Sequence, residues 1–226
     1  YFEDFEAYLF FKQLITERHI NKIITPLKDV NISCSTMLDL MARKIPEFIN
    51  KSIIVLDGDV VNDNGQNAKK AKSEKSLCLL PTTLPPDQLL FEFLYNLDKG
   101  DLYWQKNQGF TRQVFIRISG DIIDRLNIVG EKISLEDIIK NYRKGKSEES
   151  VKGELRKLFK AFAQNDKIRT LLTGPVSKNP FRYWINQNPE LKLEFKKKFE
   201  ACLINALISG FGIDSGKVYG YLQIDN

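Results

Sequence analysis

One short stretch of this sequence constrains the fold more than any other: residues 52 to 63 read SIIVLDGDVVND. The run from Ile53 to Leu56 is apolar at every position and rich in β-branched residues, without the alternation of a half-exposed strand. Such a run is typical of a strand that is covered on both faces, as in a parallel sheet. The sequence therefore predicts a buried strand that ends at two carboxylates, Asp57 and Asp59.

The Asp-Gly-Asp sequence has two interpretations, a tight turn or a functional site. Asp-Gly is a strong signal for a two-residue hairpin turn, which requires an alternating strand on each side. Only two apolar residues follow Asp59 before a run of turn-forming residues begins, so a hairpin is not favoured. We expect instead a strand whose carboxyl end lies at the active crevice of an open α/β sheet.

The spacing of Asp57 and Asp59 predicts that their side chains share a direction. In an extended chain, residues i and i+2 point to the same side, and Gly58 between them lets a ligand approach the backbone. Two carboxylates that face one point repel each other unless a cation holds them. The pattern therefore predicts a divalent metal ion at the end of this strand.

The kind of metal follows from the other residue types. The chain has one histidine, His19, which we expect to be exposed, and three widely spaced cysteines, Cys34, Cys78 and Cys202, without a CxxC pair. This composition argues against a Cys/His zinc site, a disulfide framework and a Ser-His-Asp mechanism. Oxygen ligands remain, and they favour Mg²⁺ or Mn²⁺.

The first part of the chain alternates between strand and helix patterns. The first predicted strand ends at Glu3, and three further strands are predicted over 22–27, 52–56 and 76–81. The predicted helices span 5–18, 34–48 and 85–97. This alternation predicts an α/β fold with a mostly parallel sheet flanked by helices, which we assign to a domain over residues 1–110. If the first strand lies beside the SIIVL strand, Glu3 reaches the same crevice. An acidic cluster of this kind suits Mg²⁺-dependent phosphodiester chemistry.

The remaining residues, 111–226, are predicted to form a mainly helical C-terminal domain. One further strand is predicted over FTRQVFIRI, residues 110–118. Helices are predicted over 134–146, 148–165, 179–188 and 189–210, where apolar residues recur at helical spacing between Gly, Pro, Asn and Ser.

Composition limits the partners and the location. The net charge of +5, from 34 Lys and Arg against 29 Asp and Glu, permits nucleic acid as a partner. No apolar run approaches the roughly 20 residues that cross a bilayer, so we predict a cytoplasmic protein without membrane contact. The first residues enter a structured pattern without a Met, which predicts a fragment of a larger protein.

The polar segment of residues 62–76 has two interpretations. It is rich in Lys and contains Asn-Gly, which is typical of a solvated surface loop. Alternatively, Lys69, Lys70 and Lys72 attract nucleic-acid phosphates beside the aspartates.

The order of motifs resembles a known family. FEDFEA lies at the first strand end, CSTMLDLM opens a helix, IIVLDGD lies at a later strand end, and LCLLPTTLPPDQLLFEFL follows. Together they resemble the Toprim domain, and most closely the C-terminal Toprim part of OLD-family ATPase–nuclease proteins, many of which serve in anti-phage defence. LRKLFKAF, NPFRYWINQNP and EFKKKF are similar to the helical end of such proteins.

The resemblance implies a function and a set of residues. It implies a Mg²⁺- or Mn²⁺-dependent endonuclease that acts on DNA. Glu3 would bind metal and assist as general acid or base, and Asp57 and Asp59 would be metal ligands. It also implies an ATPase region earlier in the parent chain, a homo-oligomer and a partner protein of a defence system.

The sequence departs from the family pattern at the first motif. Asp4 replaces the usual glycine, and Ala7 stands where a second glutamate is common. Asp4 or Glu6 is then a substitute metal ligand, or the domain is a degenerate assembly or partner-binding module. A further alternative is a haloacid-dehalogenase-type phosphatase with Asp57 as nucleophile, in which Asp121 and Asp124 imitate a second acidic motif.

Overall fold

The computed structural model describes residues 1–28, 32–62 and 74–223. The chain has an α/β fold that is dominated by helices and contains a two-stranded parallel sheet. The α/β class agrees with the prediction, whereas the sheet is smaller than predicted. The chain divides into two compact units, one formed by Tyr1–Pro85 with Asn188–Asn226 and the other by Pro86–Gln187.

Helix α1, Phe5–Leu14, begins directly after the first acidic pair, as predicted. Asp4 is its N-cap, and one of its carboxylate oxygens accepts a hydrogen bond from the Ala7 N–H at 2.9 Å. This bond satisfies one of the N–H groups that the first helical turn leaves without a partner inside the helix. Phe10 and Leu14 are fully buried, so α1 belongs to the core of its unit.

Helix α2, Arg18–Ile23, overlaps the strand predicted over 22–27, and that prediction is wrong. The helix continues to Ile23, and residues 24–28 form no regular element. Ile24 is extended (φ −108°, ψ 144°) but takes part in no strand pairing within the described ranges. Pro26 has no N–H to donate, which works against a ladder at this segment.

Helix α3, Cys34–Ala42, begins at Ser33, whose hydroxyl accepts a backbone N–H of the first turn at 3.2 Å. The helix predicted over 34–48 is interrupted because Lys44 adopts a left-handed conformation with φ +56°. The chain then forms a π-helical turn at Glu47–Lys51 before it enters the sheet.

The sheet consists of strand β1, Ile54–Leu56, and strand β2, Leu77–Leu79, which run parallel with Val55 opposite Cys78. On the other side of β1, Phe2 forms a single parallel bridge to Val55. This bridge is all that the structure shows of the first predicted strand within the described residues. All three residues of β1 are buried. The unbroken apolar pattern therefore has the predicted cause, a strand with both faces covered.

The side chains of α3 supply part of that cover. They pack with β1, β2 and the turn after β1 in one apolar cluster, which consists of Met37, Leu38, Met41, Ile54, Leu56, Val60 and Leu77. Each of these side chains is less than 5% exposed. Burial on this scale is the dominant favourable contribution to folding of the unit.

The unit Pro86–Gln187 is entirely helical in its regular elements. They are α4 Pro86–Asn96, α5 Leu102–Lys106, α6 Arg112–Ile118, α7 Gly120–Arg125, α8 Leu135–Tyr142, α9 Glu148–Ala163, α10 Asp166–Thr173, a 3₁₀ turn at Val176–Lys178, and α11 Pro180–Gln187. Helices α4, α8, α9 and α11 agree with the predicted ones within a few residues.

The strand predicted over 110–118 is wrong, because this segment forms α6. The Thr111 hydroxyl caps the helix by accepting the Val114 N–H at 3.4 Å. Phe115 and Ser119, four residues apart, are both fully buried, which is the spacing of a helix face. A short run of β-branched and aromatic residues does not by itself distinguish a strand from a helix.

The core of the helical unit is an aromatic cluster around Phe91 of α4. The ring centroid of Phe91 lies 5.9 Å from that of Phe115, 5.7 Å from that of Phe159 and 5.8 Å from that of Phe162. Several of these pairs meet edge to face, a geometry that aromatic rings favour beyond simple burial. Phe91 thus joins α4, α6 and α9.

The last part of the chain consists of α12, Pro189–Asn205, a π-helical turn at Ala206–Gly210, and α13, Ser215–Leu222. Helix α12 packs against β2 and α1, and the ring centroids of Phe11 and Phe199 are 5.0 Å apart. The end of the chain therefore returns to the sheet.

The compact units consequently differ from the predicted domains 1–110 and 111–226. The helical unit is an insertion between β2 and α12, and residues after 188 belong with the sheet. None of the helices described here has the length and apolar character needed to cross a membrane.

Candidate functional site

The candidate site lies at the carboxyl end of the parallel segments. Val55 donates its N–H to the Tyr1 carbonyl at 2.9 Å, and Phe2 bridges Val55 in parallel. Glu3 follows the Phe2–Val55 pair by one residue and Asp57 follows it by two. Since the segments are parallel, Glu3 and Asp57 both follow the paired residues at the same edge of the sheet.

Asp57 is held in a buried position directly after β1. Its side chain belongs to a residue that is only 5% exposed, and its carbonyl accepts the Val60 N–H at 3.4 Å. That bond begins a 3₁₀ turn at Gly58–Asn62. Burial of a carboxylate is unfavourable unless hydrogen bonds or a cation compensate for its lost hydration.

Asp59 is half-buried and lies inside the 3₁₀ turn. The expectation that Asp57 and Asp59 point the same way assumed an extended chain, and that assumption is wrong. The strand ends at Leu56, and in a 3₁₀ turn with three residues per turn the residues i and i+2 do not share a direction. A joint role for the two aspartates therefore remains a prediction from the resemblance.

Gly58 is required by packing. A Cβ atom at this position would lie 1.5 Å from the Thr82 carbonyl oxygen and 2.7 Å from that of Leu80. The ladder continues past β2 because Leu80 donates its N–H to the Leu56 carbonyl at 2.9 Å. The backbone after β2 thus lies against Gly58. This close packing, and not the approach of a ligand that we expected, explains the glycine at position 58.

Glu3 and Asp4 differ in their structural roles. Glu3 is half-buried beside the sheet edge. Asp4 caps α1 through its bond to Ala7, and this cap explains an aspartate at position 4 without a metal. Ala7, at the position where the resemblance would place a second glutamate, is fully buried.

The donor atoms at this edge suit a hard cation. Glu3, Asp57 and Asp59 offer carboxylate oxygens, which Mg²⁺ and Mn²⁺ prefer. Over the described ranges, no group of three or more His, Cys, Asp and Glu side chains is arranged to hold a metal ion. Mg²⁺ commonly uses one or two carboxylates, with waters and substrate phosphates as the other ligands. The donor chemistry fits this second mode.

The other predicted residues fall in different places. Lys69, Lys70 and Lys72 lie outside the residues that the structure describes. Asp121 and Asp124 are exposed on helix α7 of the helical unit. His19, which we expected to be exposed, is half-buried, and its ring centroid is 6.4 Å from that of Tyr221.

Two buried polar pairs were not predicted. In the helical unit, Asp87 is 4% exposed and its carboxylate lies 3.7 Å from the Lys160 ammonium group. In the sheet-containing unit, Cys202 is 0% exposed and its thiol donates to the Leu77 carbonyl at 3.5 Å. Both pairs join residues that are far apart in sequence, so local patterns give no signal for them.

Charge is distributed unevenly between the two units. Residues 86–187 contain 18 Lys and Arg against 13 Asp and Glu, whereas the rest of the chain contains 16 of each. The whole net charge of +5 therefore belongs to the helical unit. Arg143, Lys144 and Lys146 are exposed together in the turn after α8, and the Lys146 ammonium lies 3.3 Å from the centroid of the Tyr142 ring.

A cavity of about 310 Å³ with apolar and polar lining, the latter including Glu47, Lys51 and Ser52, is also present in the sheet-containing unit. Its walls include Phe2, Phe11, Ile24, Phe199 and Phe211. Glu3, Asp57 and Asp59 are not among its described lining residues, so the cavity and the carboxylate edge are separate features.

Comparisons of the chain with models of protein families, with curated proteins and with solved structures found no match. Function is therefore inferred from the residues of this chain alone. The resemblance to the Toprim domain of OLD-family proteins stays a prediction from the motifs quoted above.

Proposed function

We propose that this chain is a metal-dependent nuclease domain of the OLD-like Toprim type, which hydrolyses phosphodiester bonds in DNA with Mg²⁺ or Mn²⁺. The observation that carries the proposal is the parallel pairing of Phe2 with Val55. It brings Glu3 and Asp57, which follow different segments of the chain, to one edge of the sheet.

In this proposal the protein residues have distinct tasks. Asp57, buried after β1, is the fixed metal ligand, and Asp59 in the following turn contributes a second carboxylate. Glu3 binds metal and assists as general acid or base. The chemistry that a divalent ion supplies when bound is neutralisation of phosphate charge and a lower pKa of bound water. With few protein carboxylates, substrate phosphate oxygens complete the coordination.

DNA as the partner is supported by the charge distribution. Phosphate contacts by Lys and Arg supply most of the sequence-independent affinity for nucleic acid. The helical unit carries the net positive charge, and its basic turn exposes Arg143, Lys144 and Lys146. The predicted contribution of Lys69, Lys70 and Lys72 is part of the same proposal.

The wider setting of the proposal comes from the resemblance. It includes an ATPase region in the same parent chain, a homo-oligomer, a partner protein in anti-phage defence, and a cytoplasmic location. A second candidate function, a degenerate assembly or partner-binding module, is favoured by one observation: Ala7 is fully buried where family members commonly carry a second glutamate.

A cleavage assay with matched variants tests the proposal. Supercoiled and linear DNA are incubated with the protein and Mg²⁺ or Mn²⁺, with Asp57→Asn as the test variant and Asp121→Asn, an exposed aspartate on α7, as the control. We expect cleavage that EDTA abolishes, that Asp57→Asn lowers at least about 100-fold, and that Asp121→Asn retains. Equal cleavage by Asp57→Asn and wild type would refute the nuclease proposal. DNA binding without any cleavage would favour the assembly module, and a phosphorylated Asp57 would favour the phosphatase.

A further inference from the structure

Both π-helical turns that the structure describes line the same cavity of the sheet-containing unit. The turn at Glu47–Lys51 contributes its first and last residues to the wall, and the turn at Ala206–Gly210 contributes its first two. π-helical turns are rare, and they occur frequently at functional sites. The meeting of two such turns at one cavity of about 310 Å³ therefore marks the cavity as a candidate binding site.

The two turns are fixed against each other by a close backbone contact. A Cβ atom added at Gly210 would lie 2.0 Å from the Asn50 carbonyl oxygen, so only a glycine permits this approach. Phe211 donates its N–H to the Ala206 carbonyl at 3.1 Å, and it also lines the cavity. Backbone contacts thus hold this part of the wall in place.

The cavity has a buried apolar interior and an exposed apolar rim. Phe2, Phe11 and Phe199 line the interior, and each of them is at most 5% exposed. Ile23 and Phe211 line the rim, where they are 38% and 59% exposed. Exposed apolar residues around a concave surface are typical of a site that binds a ligand with an apolar part.

Two groups of opposite charge stand at this cavity. Glu47 and Lys51 are exposed lining residues that lie four positions apart on one turn. Neither of them forms an ion pair with another residue in the described ranges. A carboxylate and an ammonium group are therefore available beside the apolar interior.

We propose that this cavity binds a free α-amino acid with a large apolar side chain. The side chain of the ligand occupies the apolar interior, its ammonium group pairs with Glu47, and its carboxylate pairs with Lys51. The volume is at the lower end of the range of roughly 300–1,000 Å³ that small-molecule sites span, which suits a ligand of this size. The inference is independent of the proposed nuclease function.

Isothermal titration calorimetry with three amino acids tests the proposal. L-phenylalanine, L-tryptophan and L-leucine are titrated into the protein, and two analogues of phenylalanine serve as controls. Phenylpropanoate lacks the ammonium group, and phenethylamine lacks the carboxylate. We expect saturable binding of at least one amino acid, and binding about threefold weaker or more for an analogue that loses one of the two ion pairs.

Variants locate the site. Glu47→Gln and Lys51→Gln should each weaken binding by about threefold or more, whereas Lys44→Gln, an exposed lysine of the same unit outside the cavity wall, should not. Ala206→Phe, which fills the cavity, should abolish binding while circular dichroism reports a folded chain. If Ala206→Phe fails to fold, the two charge variants still decide the question.

Three results would overturn the proposal. The first is the absence of saturable binding of all three amino acids up to about 10 mM. The second is equally tight binding of both phenylalanine analogues, which would remove the role of the two charged groups. The third is unchanged affinity in Glu47→Gln and Lys51→Gln, or in a folded Ala206→Phe, which would place the binding elsewhere.

Discussion

The two compact units of this chain differ in the charge of their sequences. The sheet-containing unit has balanced charge, whereas the helical unit has an excess of five positive charges and a core of interlocking aromatic rings. Both units contain buried polar side chains, such as Asp57 and Asp87, and glycines that lie against a backbone carbonyl, such as Gly58 and Gly174. The clearest difference between the units is therefore their charge, and under the proposed function the metal-binding carboxylates belong to one unit and the excess of basic residues to the other.

The charge difference indicates where a substitution should affect DNA binding. In both units, stability should respond to truncation of the apolar core, to loss of a helix cap and to a side chain added at a closely packed glycine. Four sets of substitutions test these expectations.

The largest effect is expected at the aromatic core of the helical unit. Phe91→Ala should lower the free energy of unfolding by about 3–5 kcal/mol, because it leaves a cavity among three other rings. Denaturant unfolding followed by circular dichroism measures it. Phe211→Ala, at a phenylalanine that is 59% exposed in the other unit, should cost less than about 1 kcal/mol. Similar losses of stability in both variants would contradict the central place of Phe91 in the aromatic core.

A smaller effect of opposite sign in the two units is expected at glycines. Gly58→Ala should destabilise the protein by about 1–3 kcal/mol, since the added Cβ meets the Thr82 carbonyl oxygen. Gly153→Ala, inside α9 with no atom within 4 Å of the added Cβ, should stabilise it by up to about 1 kcal/mol. Thermal unfolding of both variants checks the signs. A neutral Gly58→Ala would contradict the close approach after β2.

The charge difference can be tested by reversal. The triple change Arg143→Glu, Lys144→Glu and Lys146→Glu should weaken DNA binding at least tenfold (about 1.4 kcal/mol) and flatten its dependence on salt. Three exposed lysines of the other unit, Lys22, Lys197 and Lys217, changed to Glu, alter the net charge equally and serve as control. Fluorescence anisotropy at several salt concentrations measures both. Equal losses would mean that net charge alone, without a basic surface on the helical unit, attracts DNA.

The smallest effect separates a helix cap from a metal ligand. Asp4→Ala should cost about 1 kcal/mol of stability through loss of the α1 cap, and Asp4→Asn should cost much less because Asn caps equally well. Asn165→Ala, at the cap of α10, should match the loss of Asp4→Ala. If Asp4 is also a ligand, Asp4→Asn should weaken Mn²⁺ binding while Asn165→Ala does not.

Much of the sheet and its edge could be predicted from the sequence. The unbroken apolar run before Asp57 indicated a covered strand, and β1 is buried at every residue. The acidic pair before α1 indicated the start of a helix, which Asp4 caps. The predicted parallel direction of the first segment and β1 agrees with the bridge between Phe2 and Val55. This direction brings Glu3 and Asp57 to one edge of the sheet.

The remainder depends on contacts that no local pattern reveals. The apolar run around Phe115 is compatible with a strand or a helix. The packing of the Phe115 ring against Phe91 in the aromatic core accompanies the helical conformation in the structure. The return of α12 to β2 arises from tertiary packing, so the predicted domain ranges missed it. The chain direction after Asp57 is set by the backbone against Gly58, which turns Asp59 away from the extended geometry that the sequence suggested.

Titration with Mn²⁺ decides whether Glu3 and Asp57 hold a divalent cation at the sheet edge, as we propose. Electron paramagnetic resonance measures the free ion as Mn²⁺ is added to wild type, Asp57→Asn, Glu3→Gln and the control Asp121→Asn. The account predicts saturable binding in wild type and in the control, and at least tenfold weaker binding in Asp57→Asn and in Glu3→Gln. Absence of saturable binding in wild type, or unchanged affinity in Asp57→Asn, would contradict it.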